Sequence, residues 1–446
     1  MADLSPDKIA MLQGLIAASP DEVVRGLEHA VCRQGTTGPL AAIGAMVEQE
    51  INDRATRAHV LAPVNGLFRP RCVDDQTAFP RAAGSLLWKA LKADKPDWVK
   101  QAADASYYID PDEPAPQIFD QLCARAAAEL RTAERSEYVA VRDVLEADQP
   151  GSTQVLITAL DMASVVRGPL SKLSDWLQRM SDDRRASARI AYKDACAAGE
   201  GGGPLMFEML AAHLKHPCQI LRVISAVMDH PGERYLADSE LAMFGVRALE
   251  KIDAQVQHAR ELRPGASVHA AELAAAAVID AVETITELDQ SVQLVRDGPW
   301  GQRLTKLKQA LAAVVEQRMQ EIEEAVALSL PMKKLRYSGR LVSNVPRLDD
   351  PPNDAAVDLA IGLLTFSEGV RGCASDGGFA GTRSKVHDIV GQRIDRYVED
   401  LLEQMRLGDD VDHDRAREFL DVAARLMSLV RDRQAGGVVR RRAAAA

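Results

Sequence analysis

The strongest candidate for chemistry in this sequence is the segment His213-Leu-Lys-His216-Pro-Cys218, with Glu208 five residues before its first histidine. Two histidines three residues apart share one face of a helix, and imidazole together with a thiolate suits zinc. A structural zinc normally takes four ligands at recognisable spacing, but neither a second ligand pair nor an HExxH pattern occurs here. The interpretation we favour is that both histidines lie at the negative dipole end of a helix over 204–216.

A second candidate is Asp410-Val-Asp412-His-Asp414, whose acids match the first three carboxylate positions of a calcium-binding EF-hand loop. Such a loop needs a glycine for its sharp turn, and this sequence has Arg415 at that position. We therefore expect Asp412 or Asp414 to cap a helix over 413–434, because an aspartate before a helix accepts one of its free backbone N–H groups.

The aspartate pairs at 74–75 and 349–350 resemble superficially those that hold magnesium against diphosphates. Helical prenyl-transferring enzymes place such pairs on helix walls around an aromatic cavity. Two prolines after Asp350 forbid a continuous helix, and only 4% of the residues are aromatic. A linker that ends in a helix cap at Asn353 or Asp354 is the better interpretation.

The segment from Gly372 to Lys385 is rich in glycine and leads into a helix, which is the general form of a phosphate-binding helix N-terminus. It matches neither the P-loop nor the dinucleotide-binding pattern, and no strand is predicted before it. We expect a loop between two helices with Thr382 or Ser384 as the cap. Anion binding by its free amides is the alternative.

Positive charge is clustered in a 333–347 run and again in arginines 431–442. In an exposed linker the first run could bind an acidic partner, RNA or anionic lipid, or surround a phosphorylated Ser338. The alternative is a solvated linker balanced by nearby acids, since no aromatic residues are interleaved for base stacking. The predicted partner-binding residues are Lys333, Lys334, Arg336 and Arg340.

No arrangement of a nucleophile and a base stands out, and the GxSxG pattern is absent. The sequence therefore predicts no catalytic residue and no cofactor, although triads are defined in space rather than along the chain. The nine histidines are dispersed over positions 29, 59, 213, 216, 230, 258, 269, 387 and 413.

The bulk composition is that of an ordinary folded chain with an acidic excess. Its 446 residues are 47% hydrophobic and 27% charged, with a net charge of −11, which disfavours nonspecific nucleic-acid binding by the whole protein. Six scattered cysteines without a CxxC pair predict reduced thiols, and neither a basic-led apolar leader nor a membrane-length apolar run occurs, so we expect a cytoplasmic protein. Arginine outnumbers lysine by 40 to 14, which is typical of a GC-rich, bacterial coding bias.

Helical periodicity dominates the rest of the sequence and predicts an all-α fold. The repeated Ser-Pro-Asp at 5–7 and 19–21 predicts N-caps of two short helices, at 6–18 and 20–33. An apolar stripe from Leu156 to Met180 contains Gly168-Pro169, which predicts a kink or two abutting helices. A second stripe from Trp300 to Val326 takes seven steps over 26 residues, about 3.7 residues per step, which fits a helical bundle better than a coiled coil.

The predicted organisation is a multi-helix bundle of two or three helical subdomains with long amphipathic helices. Its predicted segments are 1–148, with an irregular part at 62–80, a long-helix bundle at 153–330, a charged linker at 331–353, a helical unit at 354–434 and a basic tail at 435–446.

The function expected from this pattern is that of a cytoplasmic helical scaffold or adaptor, which binds protein partners or a second copy of itself. One alternative is a helical enzyme or ligand-binding protein with a pocket between helices. A third is an RNA or anionic-membrane binder that uses the basic linker.

Overall fold

The predicted all-α architecture is confirmed in the computed structural model, which describes residues 6–34, 39–70, 77–109, 113–132, 134–228, 232–263, 265, 267–337, 341–407 and 411–446. Across these ranges the chain forms 21 α-helices, two short 3-10 helices and one antiparallel pair of strands. None of the described helices combines the length and apolarity that a membrane span requires. The chain divides into two compact units, Met1–Asp229 and His230–Ala446. The domain boundaries proposed from the sequence stay predictions.

The first unit consists of short and medium helices. Its elements are α1 (Pro6–Ala18), α2 (Asp21–Gln34), α3 (Pro39–Val60), α4 (Ala62–Asn65), α5 (Arg81–Asp94), α6 (Pro96–Ser106), α7 (Gln117–Thr132), α8 (Ser136–Asp148), α9 (Ser152–Asp161), α10 (Ala163–Gln178), α11 (Asp182–Ala198), α12 (Gly202–Ala211), a 3-10 turn (Pro217–Gln219) and α13 (Ile220–Val227).

The predicted 156–180 stripe is divided between α9 and α10. Two abutting helices were one of the two predicted outcomes, but they meet at Met162 rather than at Gly168-Pro169, and α10 continues through Pro169. Leu156, Leu160 and Val166 are nevertheless buried, because two abutting helices can present one continuous apolar face to the same core.

The serine cap predicted for α2 is also wrong. The hydroxyl of Ser19 donates to the carbonyl oxygen of Leu15 at 2.7 Å, so it satisfies the end of α1 rather than the start of α2. Ser5, the corresponding serine before α1, lies outside the described residues.

The end of α3 is capped by a guanidinium group from α10. Arg167 donates to the backbone carbonyls of His59 at 2.7 Å and Val60 at 2.9 Å, and its Nε atom donates to Asp120 on α7 at 2.7 Å. The last carbonyls of a helix have no partner within the helix, so one planar guanidinium here satisfies two of them and joins three helices. The adjacent Cys123 thiol is fully buried, and its burial raises its pKa to about 12, so it is a core group rather than a nucleophile.

The second unit contains the long helices. Its elements are α14 (Glu233–Ala237), α15 (Ala242–Arg260), α16 (Val268–Ser291), α17 (Pro299–Ser329), β1 (Met332–Tyr337), β2 (Leu341–Pro346), α18 (Asp354–Gly369), a 3-10 helix (Val370–Cys373), α19 (Ala380–Leu407), α20 (His413–Val430) and α21 (Arg433–Ala445). The stripe predicted from Trp300 to Val326 is confirmed as the buried face of α17.

A buried carboxylate fixes the start of α17. Glu233 accepts hydrogen bonds from the backbone N–H groups of Val295 at 2.8 Å and Trp300 at 2.7 Å, and a Cβ atom at Gly298 would collide with its oxygens. The negative charge lies at the positive end of a 31-residue helix, where the helix dipole stabilises it. This cap therefore needs a glycine at the helix entrance.

The segment expected to be a linker contains an antiparallel hairpin, in which β1 pairs with β2 from Met332–Pro346 to Tyr337–Leu341. The expected basic tail is also helical, since α21 packs on α20 at Gly436, where a side chain would clash with Ser428. Two predicted helix caps are confirmed: Asn353 accepts from the N–H of Ala356, and Asp412 accepts from that of Arg415.

We predict that Arg167→Lys destabilises the first unit by about 2 kcal/mol, because an ammonium group keeps the charge but cannot donate along the guanidinium fork to both carbonyls and Asp120. Urea unfolding followed by tryptophan fluorescence measures this, since Trp88, Trp98 and Trp176 lie in this unit. The matched control is Arg185→Lys, an exposed residue of α11, for which we expect a change within about 0.5 kcal/mol. Equal effects of the two substitutions would contradict a capping role.

Candidate functional site

Polar side chains converge on a cavity of about 380 Å³ in the second unit, where the end of α18 and the end of α20 meet the start of α19. The glycine-rich segment forms its connecting turn: the 3-10 helix ends at Cys373, Gly378 takes a left-handed φ of 78°, and α19 begins at Ala380. Glycine adopts a left-handed backbone conformation at little energetic cost, which explains why Gly378 occupies the position before the buried Phe379. The prediction that Thr382 or Ser384 caps this helix is wrong, because the helix starts before both.

Three guanidinium groups and two carboxylates line this cavity. The positive groups belong to Arg371, Arg383 and Arg431, and the acids are Glu368 and Asp388. Arg431 also pairs with Asp395 at 2.7 Å, outside the lining. The other lining residues are Gly372, Ala374, Ser375, Ala380, Ser384, His387 and Val430.

Arg383 is the most enclosed of the three cations. Its Nε atom donates to the backbone carbonyl of Ser367 at 2.9 Å, and one terminal nitrogen donates to Glu368 at 2.6 Å. Only 15% of the side chain is exposed, against 66% for Arg371, which shares the same Glu368 at 3.1 Å. Burial lowers the pKa of Arg383, and the nearby Arg371 adds to this effect while Glu368 opposes it.

A serine and a histidine form the second polar feature beside the cavity. The Oγ atom of Ser367 lies 2.6 Å from Nε2 of His387, and Nδ1 of the same ring lies 2.9 Å from the carbonyl oxygen of Val430. A carbonyl can only accept, so Nδ1 carries the proton and the serine hydroxyl donates to Nε2. This order of donors resembles a nucleophile, base and orienting group in its connectivity.

The position of Ser367 rules against a nucleophilic role in this conformation. Its residue is completely buried within α18, and it does not belong to the cavity lining, whereas His387 does. A nucleophile must reach the atom it attacks. The pair therefore serves as an internal hydrogen bond that holds the imidazole against the ends of two helices.

Burial lowers the pKa of His387, and the positive charge of Arg383 contributes to the decrease. The hydrogen bond to Val430 and the negative charges of Glu368 and Asp388 oppose it. The imidazole is consequently neutral over a wider pH range than a histidine in water.

The residues proposed for zinc do not form a ligand set in this structure. His213 follows α12 and hydrogen-bonds to the backbone of Ala62 and Pro63, while partial desolvation lowers its pKa. His216 precedes the 3-10 turn that contains Cys218. The ligand atoms of His213, His216 and Cys218 do not all lie within 4.8 Å of one another.

Two cations of the 333–347 basic run are paired with acids. Lys333 lies 2.9 Å from Asp349, and Arg347 lies 2.8 Å from Asp350. Such ion pairs are what a solvated linker balanced by nearby acids predicts. Lys334 is exposed. Partner binding at this run stays a prediction. The side chains of Arg336 and Arg340, together with Asp74, Asp75 and Asp410, lie outside the described residues.

Sequence reasoning missed the Ser367–His387 pair and the role of Arg383. The three residues come from two different helices, and the histidine was one of nine dispersed ones. Two sequence signals lay near this cavity: the glycine-rich segment, with anion binding as its alternative, and the arginine cluster that begins at Arg431.

The comparisons with known proteins add no functional information, because no protein-family model, curated protein or solved structure matches this chain. The geometry of the cavity is therefore the basis for any functional proposal.

We predict that a serine-directed fluorophosphonate leaves Ser367 unmodified in the folded protein, because its hydroxyl is enclosed and already donates to His387. Peptide mass spectrometry after prolonged incubation measures this, and the exposed Ser384 is present in the same digest for comparison of recovery. Stoichiometric labelling at Ser367 would show that the serine is reachable and would support the enzyme alternative.

Proposed function

We propose that the His230–Ala446 unit binds a small anionic ligand in the cavity between α18, α19 and α20. The observation that carries this proposal is the convergence of Arg371, Arg383 and Arg431 on one cavity large enough for a small molecule. Arginine suits this task because its planar donors match the geometry of carboxylate and phosphate oxygens.

The charge balance of the lining supports an anion. Glu368 is shared by Arg371 and Arg383, so one carboxylate serves two guanidinium groups. With Asp388 included, the lining has one positive charge in excess while His387 is neutral. A bound anion would relieve the cost of holding Arg383 in a mostly enclosed position.

The start of α19 adds a second favourable interaction. Ala380, the first residue of this 28-residue helix, lies in the cavity lining. The first backbone N–H groups of a helix have no partner within it, and the helix dipole is positive at this end. An anion near Ala380 would accept hydrogen bonds from these N–H groups and interact favourably with the positive end of the helix. Anion binding of this kind was the alternative interpretation of the glycine-rich segment.

Binding without a chemical step is the form of this proposal that the contacts support best. The enclosed serine offers no reachable nucleophile, and the neutral His387 uses both of its ring nitrogens for hydrogen bonds inside the fold. The enzyme alternative would need a different group from the lining to act on the ligand.

We predict that sulfate and inorganic phosphate bind this unit and that Arg371→Gln weakens their binding about tenfold or more, since a charge-assisted hydrogen bond is worth about 1.5–3 kcal/mol. Isothermal titration calorimetry on the full chain measures this. Arg371 is the variant of choice because its side chain is exposed and makes one ion pair.

Arg393→Gln is the matched control, because it removes one exposed positive charge from α19 outside the cavity lining. If both variants weaken binding equally, the anions respond to surface charge and the proposed site is wrong. The same conclusion follows if neither anion binds the unaltered protein.

The adaptor function expected from the sequence is a second candidate, and exposed apolar residues on the first two helices favour it. Ile16 and Val24 are buried beside Val47 of α3. On other faces of α1 and α2, one turn apart in each helix, lie the exposed pairs Met11 with Leu15 and Val23 with Leu27. Exposed apolar residues grouped in this way are typical of protein interaction surfaces.

We predict that Leu15→Ser abolishes self-association or partner capture if this surface has that role, because it removes an apolar side chain that is 54% exposed. Sedimentation velocity over a concentration series and capture from the native cells measure the two forms. Ile190→Ser, a similarly exposed apolar residue on α11, is the control. A protein that stays monomeric and captures no partner would exclude this candidate.

A further inference from the structure

We infer that anion binding in the α18–α19–α20 cavity is coupled to proton uptake by His387. This inference rests on the proposed anion site and concerns its regulation. It starts from the position of the imidazole, which lines the cavity and is also hydrogen-bonded at both ring nitrogens to the helices that form it.

The hydrogen bonds allow His387 to accept a proton with little rearrangement. In the neutral state Nδ1–H donates to the Val430 carbonyl, and Nε2 accepts from the hydroxyl of Ser367. A proton added at Nε2 makes it a donor, and the serine oxygen can then accept the same bond after its hydroxyl hydrogen rotates away. The heavy atoms can keep their positions while the charge of the ring changes.

Charged groups from every helix around the cavity line it together with this imidazole. Glu368 comes from the end of α18, Arg371 from the following 3-10 helix, Arg383 and Asp388 from the helix of His387 itself, and Arg431 from the end of α20. With the ring neutral, these groups have one positive charge in excess, and protonation raises the excess to two. An anion among them favours the protonated ring, and the protonated ring favours the anion.

The direction of the coupling follows from the protonation state of His387 when no anion is bound. Burial and Arg383 lower the pKa of His387, so the ring is neutral near neutral pH in the absence of a ligand. A bound anion raises this pKa, so that binding takes up a proton. Affinity for the anion therefore increases as the pH falls, by at most about tenfold for each pH unit by which the anion raises the pKa.

The same coupling acts on stability. Because the pKa of His387 is lower in the folded protein than in the unfolded chain, the stability from keeping the ring neutral is fully present above about pH 6.5 and is lost as the pH falls below that value. A bound anion reverses this loss. Protection by the ligand should consequently be greatest under mildly acidic conditions.

Sulfate titration of the full chain between about pH 8 and about pH 5.5 tests the inference, because sulfate keeps its charge over this range whereas phosphate does not. We expect sulfate affinity to rise by about tenfold across the range, with proton uptake measured by calorimetry in buffers of different ionisation enthalpy. Histidine NMR signals give the pKa of His387 directly with and without sulfate, and it should be higher with sulfate.

Two variants separate the imidazole from the general effect of low pH on surface charge. His387→Gln keeps a side chain that can hydrogen-bond but cannot titrate, so sulfate should still bind while the pH dependence disappears. Ser367→Ala removes a hydrogen bond that both states of the ring make but leaves an imidazole that can titrate, so the pH dependence of sulfate affinity should persist. The NMR titration and the Ser367 variant keep the test decisive if the glutamine variant does not fold.

The outcomes distinguish this inference from the proposed function. Sulfate binding with the same affinity at every pH, or a pH dependence that persists in His387→Gln, would overturn the coupling and leave the anion site in place. No sulfate binding at any pH would remove the anion site itself. Binding that requires a proton in the unaltered chain and loses that requirement in the glutamine variant supports the coupling.

Discussion

The fold depends on satisfying the backbone carbonyls at the ends of its many helices. The last carbonyls of a helix have no hydrogen-bond partner within it. A chain with 21 described α-helices has many such carbonyls, and each needs a donor from elsewhere. Side chains from neighbouring helices supply many of the missing donors. These pairs join Arg54 to Ile16, Ala17 and Ser19, Arg167 to His59 and Val60, Arg189 to Ala226 and Met228, Arg222 to Leu177, Arg318 to Arg260, Arg383 to Ser367, and His387 to Val430. The excess of arginine over lysine thereby has a structural use, whatever its origin in the coding sequence, because a guanidinium reaches two carbonyls with one planar group.

The candidate site is a local consequence of the same constraint. Arg383 caps the end of α18 and His387 caps the end of α20, so one helix supplies caps to two others and its own positive end is left facing the space between them. Structural and ligand-binding roles therefore share residues in this cavity. The exposed Arg371, which caps no helix, is the cation whose loss should affect binding with the least effect on packing.

Sequence signals for helix caps were reliable where the cap needs only residues that are neighbours along the chain. Asn353 and Asp412 cap their helices as predicted, since a side chain reaches a backbone N–H only three residues away without help from the rest of the fold. The cap predicted at Ser19 failed because the end of the preceding helix competes for the same hydroxyl. The cavity was beyond this kind of reasoning, since Ser367 and His387 meet only after two helices and a turn have packed. The glycine-rich segment had anion binding only as the alternative to a loop, and nothing in the sequence indicated that its Arg383 would meet Arg431 from the distant basic run.

The sequence by itself determined the helical class of this protein and the buried stripe from Trp300 to Val326, because helix periodicity and burial are written in the spacing of apolar residues. Only the tertiary structure decided which polar residues meet. Residues such as Arg167 and His387 look like ordinary helix-surface positions in the sequence, and their partners lie 108 and 43 residues away along the chain. The physical reason is that the need of a helix end for donors is local, whereas the helix that supplies them is chosen by packing.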